Sequence, residues 1–308
     1  MLTFNGLNEE RVRLNREELR QRIAAALPSD GTVEALEGLH LYRASRPTER
    51  ISGVSNLSFC VIAQGAKEVL LGNRKYRYDP SRYLLATAEL PVTGCVVDAR
   101  PDEPYLSLRL DLDVAMVASV MVEAGVPTPS GTCDAKALVV SVLEPGLLDA
   151  VVRLLRLLEN PTDARTFAPL VKREIILRLL MGEQGGRLRC LPPLGGHSDR
   201  IAKAVERLQR DYRQPLHIES FARDLGMSSS GFHHHFKAVT DMSPLQFLKG
   251  LRLHEARRLM LDERLDATRA GLRVGYDDAS HFSRDYKRLF GESPIRDVER
   301  LRTMVVGD

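Results

Sequence analysis

No stretch of the 308-residue chain is long and apolar enough to cross a bilayer. Spanning takes about 18 uncharged apolar residues, and the longest candidate, Ala115 to Val126, is short and carries Glu123. The opening MLTFNGLNEERVR lacks the basic-then-apolar order of a secretory signal, so the expected location is the cytoplasm. Cysteine is scarce: Cys60, Cys95, Cys133 and Cys190 fall in no CxxC spacing. That argues against a zinc site and a disulfide framework and makes reduced thiols the expectation. Histidine is sparse where a metal-binding β-domain would need it. Between residues 30 and 120 only His40 occurs, too little imidazole for a first-row metal centre of the cupin-enzyme kind. No nucleophile–base constellation stands out, so the expectation is a non-enzyme without metal or cofactor. Charge of one sign is scarce as well. The net charge is +3, and the whole excess lies from His197 onward, a bias too weak to identify a nucleic-acid partner by itself.

Length is compatible with two domains, since one usually takes roughly 100–200 residues, and an apolar fraction of 44% suffices for two cores. Arg16 to Leu27 shows helical spacing and stops at Pro28-Ser29-Asp30-Gly31. From Leu39 to Leu110 short β-rich runs follow, such as LSFCVIAQG, KEVLLG, TGCVVDA and YLSLRLDL. Turn residues break them at roughly 8–12-residue intervals, the look of a small antiparallel barrel or sandwich. A helix is predicted from Asp113 to Ala124. Between Glu144 and Met181, LLDAVVRLLRLLE and FAPLVKREIILRLLM carry helical apolar stripes split at Asn160-Pro161, the second beginning in a short turn before Pro169. Such stripes fit either subunit pairing or packing on the β-domain. Glycines and prolines in Gly182 to Asp199 mark a linker. The expected division is 1–181, a linker at 182–198, and 199–308.

The last third contains one pattern twice. FARDLGMSSSGFHHHFKAVTDMSP (Phe221 to Pro244) and AGLRVGYDDASHFSRDYKRLFGESP (Ala270 to Pro294) match at a constant offset: Phe232 with Phe282, Phe236 with Tyr286, Lys237 with Lys287, Pro244 with Pro294. Each is a short apolar helix, a glycine turn (Gly226, Gly275), and a second helix opening in small polar residues. That is a helix-turn-helix in sequence form, and two in tandem imply a reader of double-stranded DNA.

Ser228 or Ser229 is the natural N-cap of the first reading helix. Phe232, Phe236 and Val239 must face inward, leaving Ser230, Gly231, His233, His234 and Lys237 outward. In the second, Phe282, Tyr286 and Leu289 face inward, while Ser280, Ser283, Arg284 and Lys287 lie outside. Arg284 is the best candidate for a bidentate guanine contact. Lys237, Lys287 and Arg288, with Ser229, are assigned to phosphates, which set register without reading sequence. Between the motifs, Pro244 to Asp262 is a predicted helix of about 28 Å, near the ~34 Å between successive major-groove openings.

Residues 199 to 301, through FARDLGMSSSGFHHHFKAVTDMSPLQFLKGLRLHEARRLM and VGYDDASHFSRDYKRLFGESP, resemble the DNA-binding domain of AraC/XylS-family transcriptional regulators. The resemblance implies seven helices and activation through contact with RNA polymerase. It puts base contacts on Ser230, His233 and His234 in the first motif and on Ser280, Ser283 and Arg284 in the second. Two departures stand out: many relatives carry Arg or Gln where His233 and His234 sit, and Gly271 occupies a helical position where propensity favours Ala. Residues of about 25 to 182, including QGAKEVLLGNRKYRYDP followed by SRYLLA, are similar to the family's effector domain. This implies a pocket for an unidentified small molecule and a helical homodimer interface. The expected architecture is therefore α+β and multidomain: a cupin-like β-barrel with a helical dimerisation segment, then an all-α domain of about seven helices with two helix-turn-helix motifs.

Rival readings remain open at this point. His233, His234 and His235 point about 100° apart on a helix and cannot converge on one ion. Cys60 and Cys95 are either buried small hydrophobes or a sensor of electrophiles or redox state, though no neighbouring residue in sequence would lower their pKa. The whole could also be a ligand-independent DNA binder whose barrel serves only assembly.

Overall fold

The structure, a computed structural model, describes residues 4–72, 74–127, 136–191 and 197–306. Cys133 and part of the expected linker lie outside them. Helix α1 (Phe4–Ala26) begins well before Arg16, where the periodicity becomes visible, and buries Leu19 and Ile23. Its Glu18 accepts hydrogen bonds from Arg22 at 2.7 Å and from Arg156 at 2.7 and 2.8 Å, tying α1 to helix α3 (Pro145–Arg156).

The β-rich region forms two antiparallel sheets. One has six strands in the order β1 (Gly31–Leu36), β2 (Leu39–Ala44), β9 (Tyr105–Asp111), β4 (Ser58–Gln64), β7 (Arg82–Ala86), β10 (Leu138–Val142). The other has four, in the order β3 (Ile51–Ser55), β8 (Leu90–Asp98), β5 (Ala66–Leu71), β6 (Arg74–Tyr78). Strand alternation sorts the side chains of β4. Phe59, Val61 and Ala63 join Leu19, Ile23 and the helices, while Ile62 and Cys60 join Val69, Leu71, Tyr78 and Val96 of the second sheet. Helix α2 (Val114–Glu123) is capped by Asp113, which accepts from the Ala115 amide at 2.7 Å.

The leucine-rich helices resolve differently from each other. In α3, Leu147, Leu148, Val151, Val152, Leu154 and Leu155 are all buried within the subunit. Helix α4 (Pro161–Met181) starts directly at the Asn160-Pro161 split, because Asn160 accepts from the Thr162 and Asp163 amides and Pro161 suits a first turn. Pro169 therefore lies inside the helix rather than after a preceding turn. The stretch read as a linker begins as structure: α5 (Gly185–Leu188) buries Leu188 in the N-terminal core. Cys190 is disulfide-bonded, against the expectation of reduced thiols, whereas Cys60 and Cys95 are free.

Seven helices follow: α6 (His197–Arg210), α7 (Ile218–Asp224), α8 (Ser229–Thr240), α9 (Pro244–Asp262), α10 (Ala267–Arg273), α11 (Ala279–Phe290) and α12 (Pro294–Val306). Helix α9 opens in a capping box between Ser243 and Gln246 with Pro244 in the first turn. Phe232 and Phe236 of the first motif and Phe247 of α9 share one core with the second sheet, whereas Phe282 and Tyr286 pack with Leu253, Leu259 and Val274. Asp297, fully buried, accepts from Tyr286 at 2.8 Å and from Arg257 and Arg300 at 2.7 Å each. A buried carboxylate so surrounded is fully compensated.

Gly271, which propensity would make Ala, has a packing reason. A Cβ there would stand 2.9 Å from Cγ of the buried Phe282 ring. Gly271→Ala should therefore lower stability by about 1–2 kcal/mol, because overpacking costs more than the ~1 kcal/mol propensity gain; chemical denaturation would read the sign. His254 on α9 is pushed down to about 4 by burial and by Arg257 beside it. It stays neutral when folded but protonates near its usual value of about 6.5 when unfolded. Stability should thus fall as pH drops from about 6.5 towards 4, and His254→Phe should reduce that slope in thermal melts.

Candidate nucleic-acid interface

Each reading helix is oriented by what it buries. In α8, Phe232 stacks against Phe221 at 5.6 Å and Phe236 at 5.4 Å, and Phe236 meets Phe247 at 5.3 Å, mostly edge-on. Such pairs add specific geometry to hydrophobic burial. In α11, Phe282 contacts Tyr276 at 5.4 Å and Tyr286 at 5.6 Å. The turns between paired helices need left-handed backbone, supplied by Gly226 at φ +65° and Gly275 at φ +92°.

The opposite faces point outward. Ser230, His234 and Lys237 are exposed on α8, with Ser229 and His233 half-buried. Ser280, Ser283, Arg284, Lys287 and Arg288 are exposed on α11, and so is Leu289, against the inward position expected of it, because the core beside Phe282 and Tyr286 is completed by Phe290 instead. Ser228, not Ser229, caps α8, accepting from the Gly231 amide at 3.2 Å. Asp278 caps α11 through the His281 amide at 2.7 Å. Arg284, Lys237 and Lys287 make no salt bridge among the described residues. Arg288 is different: it lies 3.1 Å from Asp285, which also holds Lys249 at 2.9 Å and accepts from Tyr276 at 3.4 Å. Phosphate binding by Arg288 would compete with that carboxylate.

Two residues that sequence reasoning passed over tie the motifs down. Arg252 on α9 donates to the Tyr212, Gln214 and Gly275 carbonyls at 2.7, 2.9 and 2.9 Å. One side chain thus joins the segment leading into the first motif to the turn of the second. Asp241 ends α8 in left-handed conformation at φ +56° and accepts from Tyr76 at 3.2 Å, with Arg74 3.2 Å away. The second sheet is therefore bonded to the end of the first reading helix. The Ala137 amide donates to the Val239 carbonyl at 2.9 Å, and Glu49 pairs with Arg300 of α12.

In the N-terminal half, His40 lies 3.1 Å from Asp111, whose other oxygen is 2.9 Å from Arg109. Cys60 and Cys95 are both half-buried. Burial pushes the Cys60 thiol up, although Lys67 opposes the shift, so reactive thiolate at neutral pH is disfavoured. Lys67 is seven positions from Cys60 along the chain, not adjacent to it, and comes near it through sheet packing.

Comparison with known proteins matches this arrangement. The AraC-type transcriptional regulator N-terminus corresponds to residues 35–187 and a helix-turn-helix domain to residues 221–300. VirF of Yersinia enterocolitica, a virulence regulon transcriptional activator, is 27% identical over 161 residues, 52% of this chain and 58% of that protein. ArgR of Pseudomonas aeruginosa, a helix-turn-helix-type transcriptional regulator, is 26% identical over 154 residues, 50% of this chain and 47% of that one. The chain thus spans about half the length of these curated relatives. Apo ToxT from Vibrio cholerae shares the fold at a TM-score of 0.56 and 11% identity, over 85% of this chain and 97% of that one. A second ToxT structure, with unsaturated fatty acid bound, gives 0.52 at 12% identity, over 84% and 94%. With an AraC-type N-terminus followed by a helix-turn-helix domain, the chain belongs to the AraC family of transcriptional regulators.

Proposed function

We propose that the protein is a sequence-specific transcriptional regulator, acting as an activator through RNA polymerase, whose two-sheet domain senses a small molecule. The observation that carries this reading is the paired geometry of α8 and α11, each with aromatic anchors inward and small polar or basic residues exposed. Ser230, His233, His234, Ser280, Ser283 and Arg284 read bases, and Ser229, Lys237, Lys287 and Arg288 hold phosphates. Arg284 is the strongest of these, being exposed and without a competing carboxylate. Activation is supported by relatives whose names say as much, VirF among them, and a ligand by the ToxT structure with fatty acid bound. The protein works in the cytoplasm.

Homodimerisation is assigned to α4 rather than α3. With α3 spent on the core, α4 still exposes Phe167, Leu170 and Met181 along one face, and α4 is continuous with the sensing domain. Scattered exposed apolar residues need no explanation, but an aligned stripe on one helix marks an interaction surface.

Selection of bound genomic fragments by the full chain tests the function; recovery of random sequence would overturn it. Binding to a recovered site should weaken steeply with salt. Arg284→Ala should cost about 1–3 kcal/mol and relax preference at one base position, whereas Lys237→Ala should weaken all sequences alike. Phe167→Glu with Leu170→Glu should yield monomers in sedimentation without loss of thermal stability; dimers that persist would move the interface elsewhere.

A further inference from the structure

Lys67 is the unexplained charge of the N-terminal domain. It sits on β5 in register with Tyr78 of β6 and Val96 of β8, both buried between the two sheets. Register partners share a face, so the lysine side chain is directed into that space. Gly94, next along β8, leaves room for it: a Cβ there would stand 3.2 Å from Lys67 Cε and 3.8 Å from Nζ. From the opposite sheet it feels Cys60 and Arg109, register partners on β4 and β9.

Several cations around it do have carboxylates. Arg109 has Asp111 at 2.9 Å, Lys75 has Glu68 at 2.7 Å, and Arg74 has Asp241 at 3.2 Å. Lys67 makes no hydrogen bond or ion pair among the described residues. Burial pushes its ammonium down, and Arg109 adds to the fall. The Lys67 side chain thus carries an ammonium towards the space between the sheets with no carboxylate of its own, an arrangement that an anionic ligand would complete.

We propose that the space between the two sheets takes a small carboxylate, its anionic group paired with Lys67. This rests on the reading of the domain as a sensor and names the chemical class it senses. The same hairpin gives the ligand a route to DNA. Lys67 lies on β5, and the partner strand β6 supplies Arg74 and Tyr76, which hold Asp241 at the end of α8. At the hairpin tip, a Cβ on Gly72 would stand 3.1 Å from the Asp241 carbonyl, so the tip and the reading helix are in direct contact. Pairing at Lys67 would shift β5 and β6 together and move the seat of α8.

The test uses the full chain and three matched probe pairs, butyrate with butyramide, hexanoate with hexanamide, and benzoate with benzamide, by calorimetry and thermal shift. At least one acid should bind saturably and at least about tenfold more tightly than its amide, the scale of one charge-assisted contact. Lys67→Met should abolish that binding, and Lys67→Arg should retain part of it. Because Met keeps the stem and removes the lone charge, Lys67→Met should melt no lower than the parent. Acids that bind no better than amides, binding that survives Lys67→Met, or a variant that melts several degrees lower would each overturn the proposal. Tyr76→Phe combined with Arg74→Met should leave acid binding intact while removing its effect on operator affinity; an unchanged effect would overturn the route. If an uncharged metabolite alters DNA affinity independently of Lys67, the sensor reading survives and this inference does not. If nothing alters it, both fail.

Discussion

The rotation between α8 and α11 is held from α9, by Arg252. Its planar guanidinium satisfies carbonyls at Tyr212, Gln214 and Gly275, groups that belong to opposite halves of the domain. A fork of donors suits this task because its geometry is rigid once placed, unlike a lysine ammonium. Half-buried, it also lies 6.0 Å over the Tyr276 ring. The aromatic anchors then set the roll of each helix about its own axis, and the glycine turns permit the sharp chain reversal between support and reading helices.

The C-terminal helical half is not a loose appendage of the sheet-rich half. One apolar core includes Val69, Leu71 and Tyr78 of the second sheet together with Phe232 and Phe236 of α8 and Phe247 of α9. Polar contacts at Asp241 and at Glu49–Arg300 frame that seam. A ligand acting on such a joint need not transmit force through a flexible linker. It need only favour one of two packings, and its influence is bounded by its difference in affinity for them.

Helical period was the most legible signal. Apolar spacing placed the helices of the C-terminal half and most of their inward residues, Leu289 excepted, because a stripe at 3.6-residue period has one way to be buried. The exposure of Ser230, His234, Ser280 and Arg284 followed from the same geometry. Local spacing could not say whether a stripe is buried inside one subunit or between two. It is buried within the subunit for α3, while α4 keeps an exposed face, and nothing in their leucine content distinguishes them. The β-rich runs announced an antiparallel domain but not its division into two sheets, since strand order depends on pairings distant in sequence.

By itself, then, the chain determined its class, its duplicated motif and the residues each reading helix turns outward, all properties of short-range periodicity. Tertiary structure alone decided that Gly271 must yield to the Phe282 ring, that Asp241 is gripped by Arg74 and Tyr76, and that Lys67 faces the interior without a carboxylate. These are contacts between segments up to 167 positions apart (Arg74 to Asp241). No local pattern encodes them, because a side chain's partner is chosen by how sheets and helices pack, after each has formed.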